Sequence, residues 1–159
     1  MSSLTSPPQQ ARRAPILRTA TLRTATRSDT ALCVSILADW LEHTSWMPDL
    51  HSRAETQAFM ARQIAHSEVL VAGEGANAGF AVLAQNCLSA LYIAAPGAGL
   101  GRFLLDAVKA RRTGFFLWCF QANLGARRFY EREGLVETQR TDGDNEERLP
   151  DIRFDWTSA

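Results

Sequence analysis

From residue 88 to residue 135 the chain reads LSALYIAAPGAGLGRFLLDAVKARRTGFFLWCFQANLGARRFYEREGL, and the succession of elements in this stretch decides the fold. Leu88 to Ile93 is an apolar run of strand length. Gly97-Ala98-Gly99-Leu100-Gly101 then opens a helical stretch to about Ala110, with Phe103, Leu104, Ala107 and Val108 apolar at helical spacing. Phe115 to Phe120 is almost continuously apolar, which predicts a strand buried on both faces. Asn123 to Glu133 predicts a second helix, with Ala126, Phe129 and Tyr130 placed to face inward.

The flanks extend the same alternation of sheet and helix. Downstream, strands at about Leu135 to Thr141 and Ile152 to Trp156 enclose a polar loop centred on Asp142-Gly143-Asp144-Asn145. Upstream, Val69 to Ala72 and Ala78 to Ala84 form a hairpin across the Gly- and Asn-rich turn Gly73 to Asn77. Ser52 and Glu55 make a capping box for a helix ending near His66, whose apolar stripe is Phe59, Met60 and Ile64. The loop His43 to His51, with Trp46, Met47 and Pro48, separates it from an earlier helix that Asp29 can cap and that ends near Glu42. That earlier helix has Val34, Leu37, Ala38 and Leu41 on one face and Cys33, Ile36 and Trp40 on a second. A first strand falls near Leu22 to Thr26. The order β-α-α-β-β-β-α-β-α-β-β predicts an α+β fold with helices on a central sheet.

The 159 residues suit one domain, predicted over residues 16–159, large enough to bury a core without disulfides or metal clips. Residues 1–15, rich in Ser, Pro, Gln and Arg without an apolar period, are expected to be a flexible leader. An Arg-rich start poor in acids also has the composition of an organelle transit peptide. With 46% hydrophobic and 21% charged residues the composition is that of a soluble protein, and no stretch approaches the roughly 18 apolar residues of a membrane span. The formal net charge of zero gives no field of one sign to attract nucleic acid or an anionic membrane. Cys33, Cys87 and Cys119 have no paired spacing for zinc or a disulfide framework, and a reducing cytoplasmic setting is expected.

A strand, a glycine-rich turn and a helix start aim successive backbone N–H groups at an anion, and the helix dipole adds to the attraction. The turn has competing readings. A P-loop needs a closing Lys-Ser or Lys-Thr, and none follows. A dinucleotide fingerprint needs an acidic residue about 20 positions on. None lies between Asp106 and Glu131. A simple tight turn packing a helix on a sheet is the remaining alternative.

The turn is followed by Asn123-x-x-Ala126-x-x-Phe129-Tyr130-Glu131-x-x-Gly134-Leu135, directly after the apolar strand. Here the sequence resembles the GNAT superfamily of acyl-CoA-dependent N-acetyltransferases, over about Leu22 to Trp156, and most specifically between Leu91 and Leu135. Pro96 stands where that family has Gln or Arg, and Ala98 replaces a common basic residue. The resemblance implies a mixed, mostly antiparallel central sheet flanked by helices, with acetyl-CoA as cosubstrate and a small-molecule amine as acceptor. It further implies direct attack in a ternary complex, without metal, and a homodimer, since such proteins often pair.

Acetyl transfer from a thioester needs a neutral amine, donors for developing negative charge and a proton for the departing thiolate. The resemblance assigns the pantetheine arm to the backbone of Leu91, Tyr92 and Ile93, and the pyrophosphate to Gly97, Ala98, Gly99, Leu100, Gly101 and Arg102. Tyr130 would be the acid beside the cofactor sulfur, a phenol that stays protonated at neutral pH. Its alternative is an aromatic on a core stripe. Asn123 would cap its helix or bond the pantetheine amides, and Phe129 would pack in the core or line the cofactor channel. For the acceptor, Trp46, His51, Gln121 and Glu146 are candidates, each with a surface or packing alternative. No general base is identified, so a GNAT-fold sensor that binds acyl-CoA without turnover stands beside the enzyme. A hydrolase would need a G-x-S-x-G elbow, which is missing.

Overall fold

The computed structural model describes residues 20–159, so the leader expected over residues 1–15 lies outside the described residues. The elements follow the expected order. They are β1 (Leu22–Thr24), a 3-10 turn (Arg27–Asp29), α1 (Thr30–Glu42), α2 (Arg53–His66), β2 (Glu68–Ala72), β3 (Gly79–Ala84) and β4 (Cys87–Ile93). After them come α3 (Leu100–Arg111), β5 (Gly114–Phe120), α4 (Leu124–Arg132), β6 (Val136–Thr141) and β7 (Asp151–Thr157). The strands form a seven-stranded sheet in the order β1-β2-β3-β4-β5-β7-β6, antiparallel except where β4 meets β5.

The sheet separates two cores. On one face α3 and α4 cover Leu88, Phe115, Leu117, Ile152 and Phe154 with Leu104, Leu105 and Val108. On the other, Cys33, Val34 and Ile36 of α1 and Met60 of α2 cover Val69, Val71, Phe80 and Val82. β2 and β3 are therefore buried on both faces, which explains their unbroken apolar runs. β5 corrects the expectation made for it. Phe115, Leu117 and Cys119 are buried, whereas Trp118 is 41% exposed, because its side chain faces the part of the sheet that the first two helices leave open.

Two helix starts show how local chemistry sets the frame. Ser52 caps α2 by accepting from the Glu55 N–H at 3.1 Å, as expected, but the Glu55 carboxylate turns to His51. Asp29 precedes α1 without capping it through its side chain. Its carboxylate instead accepts two 2.6 Å bonds from the Arg23 guanidinium and one of 2.7 Å from the Thr26 N–H. This ties β1 to the base of α1 and holds the Asp29 carboxyl at about 2, chiefly through the bonds from Arg23. On α2, Met60 is buried while Phe59 is 49% exposed, so the predicted stripe is narrower than its sequence spacing.

Candidate functional site

β4 and β5 touch only at one end. Their single paired position is Cys87 with Phe116, held by the Phe116 N–H on the Asn86 carbonyl at 2.9 Å. Each strand is fully paired on its outer side, β4 to β3 and β5 to β7. Ser89 is an extra residue on β4, since Val82 opposes Ala90 and Leu83 opposes Leu88. A bulge of this kind bends and twists the strand that carries it. β4 thus leaves its neighbour beyond Ser89, and the inner edge of Leu91–Ile93 keeps backbone groups without a sheet partner. The opening is a cleft of about 1100 Å³.

Leu91, Tyr92, Ile93, Gly97, Ala98, Gly99, Gly101, Arg102, Asn123, Phe129 and Tyr130 all line this cleft. Leu100 differs. The residue is 2% exposed, its side chain is in the core, and it does not line the cleft. Gly97 and Gly99 have φ of +95° and +85°, which L side chains resist, and these turns lead the chain into α3. Among the described residues, the N–H groups of Gly99, Leu100, Gly101 and Arg102 donate to no backbone carbonyl. N–H groups at a helix N-terminus of this kind can hold an anion. Arg102 adds less than a free cation would, because its Nε lies 3.6 Å from Glu133 and 3.9 Å from Asp106.

α4 brings Tyr130 to the opposite side of the gap. Asn123 caps it by accepting from the Ala126 N–H at 3.2 Å. At the other end the Leu135 N–H bonds the Tyr130 carbonyl at 3.0 Å and the Gly134 N–H bonds that of Glu131 at 3.1 Å, with Gly134 at φ +89°. This is a Schellman ending, with Leu135 buried behind it, and it gives the Gly134-Leu135 pair of the sequence its physical reason. Tyr130 packs on Phe129 and Phe154 at ring separations of 5.3 and 5.9 Å. Burial raises its phenol above the ordinary tyrosine value, with Cys119 and Tyr92 adding to the effect. Cys119 lines the cleft too, and burial pushes its thiol up to about 12. A neutral thiol is a poor nucleophile.

The acceptor candidates scatter. Trp46 stacks edge-on against Trp40 and Phe120 at 5.9 and 5.8 Å, and Trp40 against Tyr92 at 5.3 Å. These rings run from β4 to the end of β5, so the loop after α1 closes one mouth of the gap with aromatic side chains. Trp46 itself stands behind Trp40 and Phe120, which line the cleft. His51 contacts Glu146 at 2.7 Å and Glu55 at 3.2 Å, joining two loops outside the cleft. Gln121 does not reach the cleft either. Its amide donates to the Thr141 and Asp151 carbonyls at 3.3 Å each, fastening β5 to the last hairpin. Trp40, Trp118, Phe120, Cys119, Arg132 and Glu133 line the cleft and were not among the sequence candidates. Nothing in the sequence marked them, since the apolar run Phe115 to Phe120 read as a strand buried on both faces.

No family model matches the sequence, and no curated protein matches it. Solved structures match closely in shape and remotely in sequence. The apo form of YjaB from Escherichia coli is 20% identical, with 89% of this chain and 99% of that one covered and a TM-score of 0.71. YncA from Salmonella typhimurium, whose structure contains its cofactor acetyl-CoA, is 21% identical over 87% of this chain and 94% of its own, with a TM-score of 0.66. A GNAT-family acetyltransferase from Bacillus cereus is 14% identical over 89% and 99%, with a TM-score of 0.71. The chain has the fold of the GNAT acetyltransferases.

Proposed function

We propose that this chain is a GNAT-type N-acetyltransferase that moves the acetyl group of acetyl-CoA to a primary amine by direct attack in a ternary complex. The observation that carries the reading is the parting of β4 and β5 onto a helix N-terminus with free N–H groups, with Tyr130 lining the same cleft. The residues fit the cosubstrate: positive-φ glycines at Gly97 and Gly99 bare the backbone toward a pyrophosphate. The free edge of Leu91–Ile93 suits an extended chain bearing amides, which would bond there as an added strand. Acetyl-CoA would supply the activated acetyl group and the thiol leaving group.

The protein's own part is to bind, orient and handle protons. A backbone N–H on the free edge of β4 is the donor available for charge developing on a carbonyl oxygen. Tyr130 keeps its proton at neutral pH, because burial raises its phenol, and holds it for a departing sulfur. Direct attack needs no covalent enzyme intermediate, in keeping with the neutral Cys119 thiol.

A second reading, an acyl-CoA-binding module without turnover, is favoured by one feature: among the described residues, Glu133 is the only carboxylate lining the cleft, and no histidine lines it. Thiol release from acetyl-CoA across an amine panel separates the two. The enzyme releases thiol in an amine-dependent way, and Tyr130→Phe loses about 100-fold in kcat while still binding acetyl-CoA. Binding without release for every acceptor decides for the module. Failure to bind acetyl-CoA refutes the cradle itself.

A further inference from the structure

A second cavity, of about 320 Å³, adjoins the cleft and shares two aromatic walls with it, Trp118 and Phe120. Both side chains stand on the open face of β5, where Trp118 is 41% exposed. The cavity is completed by residues of β6, the start of β7 and the loop between them, among them Asp144, Glu147 and Asp151. Among the described residues, no Lys, Arg or His lines it. Its charge is therefore of one sign, against a whole chain whose formal net charge is zero.

Most of the neighbouring charges are already engaged, Arg148 beside Glu147 being exposed and outside the cavity lining. Arg153 lies over the Phe116 ring at 4.0 Å with Asp155 at 2.9 Å, Arg140 pairs with Glu137, and His51 with Glu146. The Asp151 carboxylate, 6% exposed as a residue, accepts from Thr141 and from the Asn145 amide. Asp144 and Glu147 have no such side-chain partner among the described residues. Glu147 also acts on the cleft: after burial, its charge is the next cause that pushes Tyr92 up to about 12. An aromatic floor beneath unpaired carboxylates is the setting in which an alkylammonium is held, by its attraction to ring faces and to the negative charges together.

Resting on the transferase reading, we propose that the acceptor is an alkyl diamine or longer polyamine. Its reacting amine lies in the cleft between β4 and β5, and a second ammonium lies in the side cavity against Trp118, Phe120, Asp144 and Glu147. Sharing of Trp118 and Phe120 by the two cavities lets one molecule occupy both. The reacting nitrogen must be neutral to attack, whereas the second nitrogen is recognised because it is charged, so one acceptor meets two opposite requirements in adjoining sites.

The test compares n-butylamine with 1,4-diaminobutane and spermidine as acceptors, and measures binding of spermidine alone from the Trp118 indole N–H signal. We expect kcat/KM at least about tenfold higher for the diamine and triamine. Glu147→Gln and, separately, Asp144→Asn should bring the ratio of diamine to monoamine toward one through KM, and raised salt should do the same. Equal use of butylamine and diaminobutane by the wild type, or a ratio untouched in both variants, overturns the proposal while leaving the transferase intact. A Trp118 shift with spermidine that Glu147→Gln abolishes, in a protein that releases no thiol, upholds the cation site and overturns the transferase.

Discussion

Across the cleft, the wall of Gly97–Arg102 and α4 and the wall of Trp40, Phe120 and Trp118, backed by Trp46, are made in different ways. The first comes from one stretch of chain and acts through backbone geometry: positive φ at Gly97 and Gly99, free N–H groups, and a capped helix that ends in a Schellman turn. The second draws on α1, the loop behind it and β5, and it acts through side chains that meet only in the folded protein. Backbone sites leave a record in glycine spacing and cap residues. Side-chain sites assembled from distant segments leave none.

Tyr130→Phe addresses the point where the two walls meet, and the remaining predictions probe each wall in turn. The largest concerns the scaffold of the aromatic wall. Asp29 anchors α1, and Asp29→Asn should cost about 2 kcal/mol of stability at pH 7, measured by urea unfolding, with acetyl-CoA affinity retained. Because the folded carboxyl sits at about 2 instead of the ordinary 3.8, this contribution is complete above about pH 4 and is lost as pH falls through about 2. Equal stability of the variant and the wild type at pH 7 would remove the anchor from the account.

Next in size is the backbone wall. Gly99→Ala forces a Cβ into φ +85°, and the strain of roughly 1–2 kcal/mol should appear as about a tenfold weaker acetyl-CoA Kd by calorimetry. Unchanged affinity would mean that the turn is a packing device alone. Gly134→Ala, at φ +89°, should lower stability by about 1 kcal/mol, read as a fall in Tm of several degrees, by loosening the end of the helix that carries Tyr130. The smallest effect concerns the loops outside the aromatic wall. His51 is raised from 6.5, first by its bond to Glu55 and then by the charge of Glu146. Their pairing is therefore full below about pH 6.5 and is lost as pH rises through the raised value. Glu146→Gln should lower the His51 titration midpoint followed by NMR, and an unmoved midpoint would break the contact between the two loops.

Legibility followed range along the chain. The order of all helices and strands was readable because apolar period and cap residues are local properties. Asn123 was recognisable as a cap for the same reason, and it bonds the Ala126 N–H. Asp29 stood at the expected position but turned its carboxylate to Arg23, since an arginine within reach outcompetes a single backbone N–H. Gln121 read as an exposed loop residue or, alternatively, one reaching the acceptor. In the fold the last hairpin lies beside it and takes its amide, a contact between residues 20 and 30 positions apart. β5 read as buried on both faces because composition reports apolarity and says nothing about which neighbours arrive to cover it. Its open face, with Trp118, became part of the cleft.

The sequence by itself determined the succession of elements, the glycine turn with its capacity for an anion, and the placing of Tyr130 on a helix capped by Asn123 and closed at Gly134. Each of these depends on residues within a few turns of one another. Only the tertiary structure decided that β4 and β5 part after one paired position, that Trp40, Trp46 and Phe120 bridge the gap, and that Asp144 and Glu147 lie unpaired beside Trp118. These features arise from the bulge at Ser89 and from contacts between segments far apart in the chain, where local propensity has no hold.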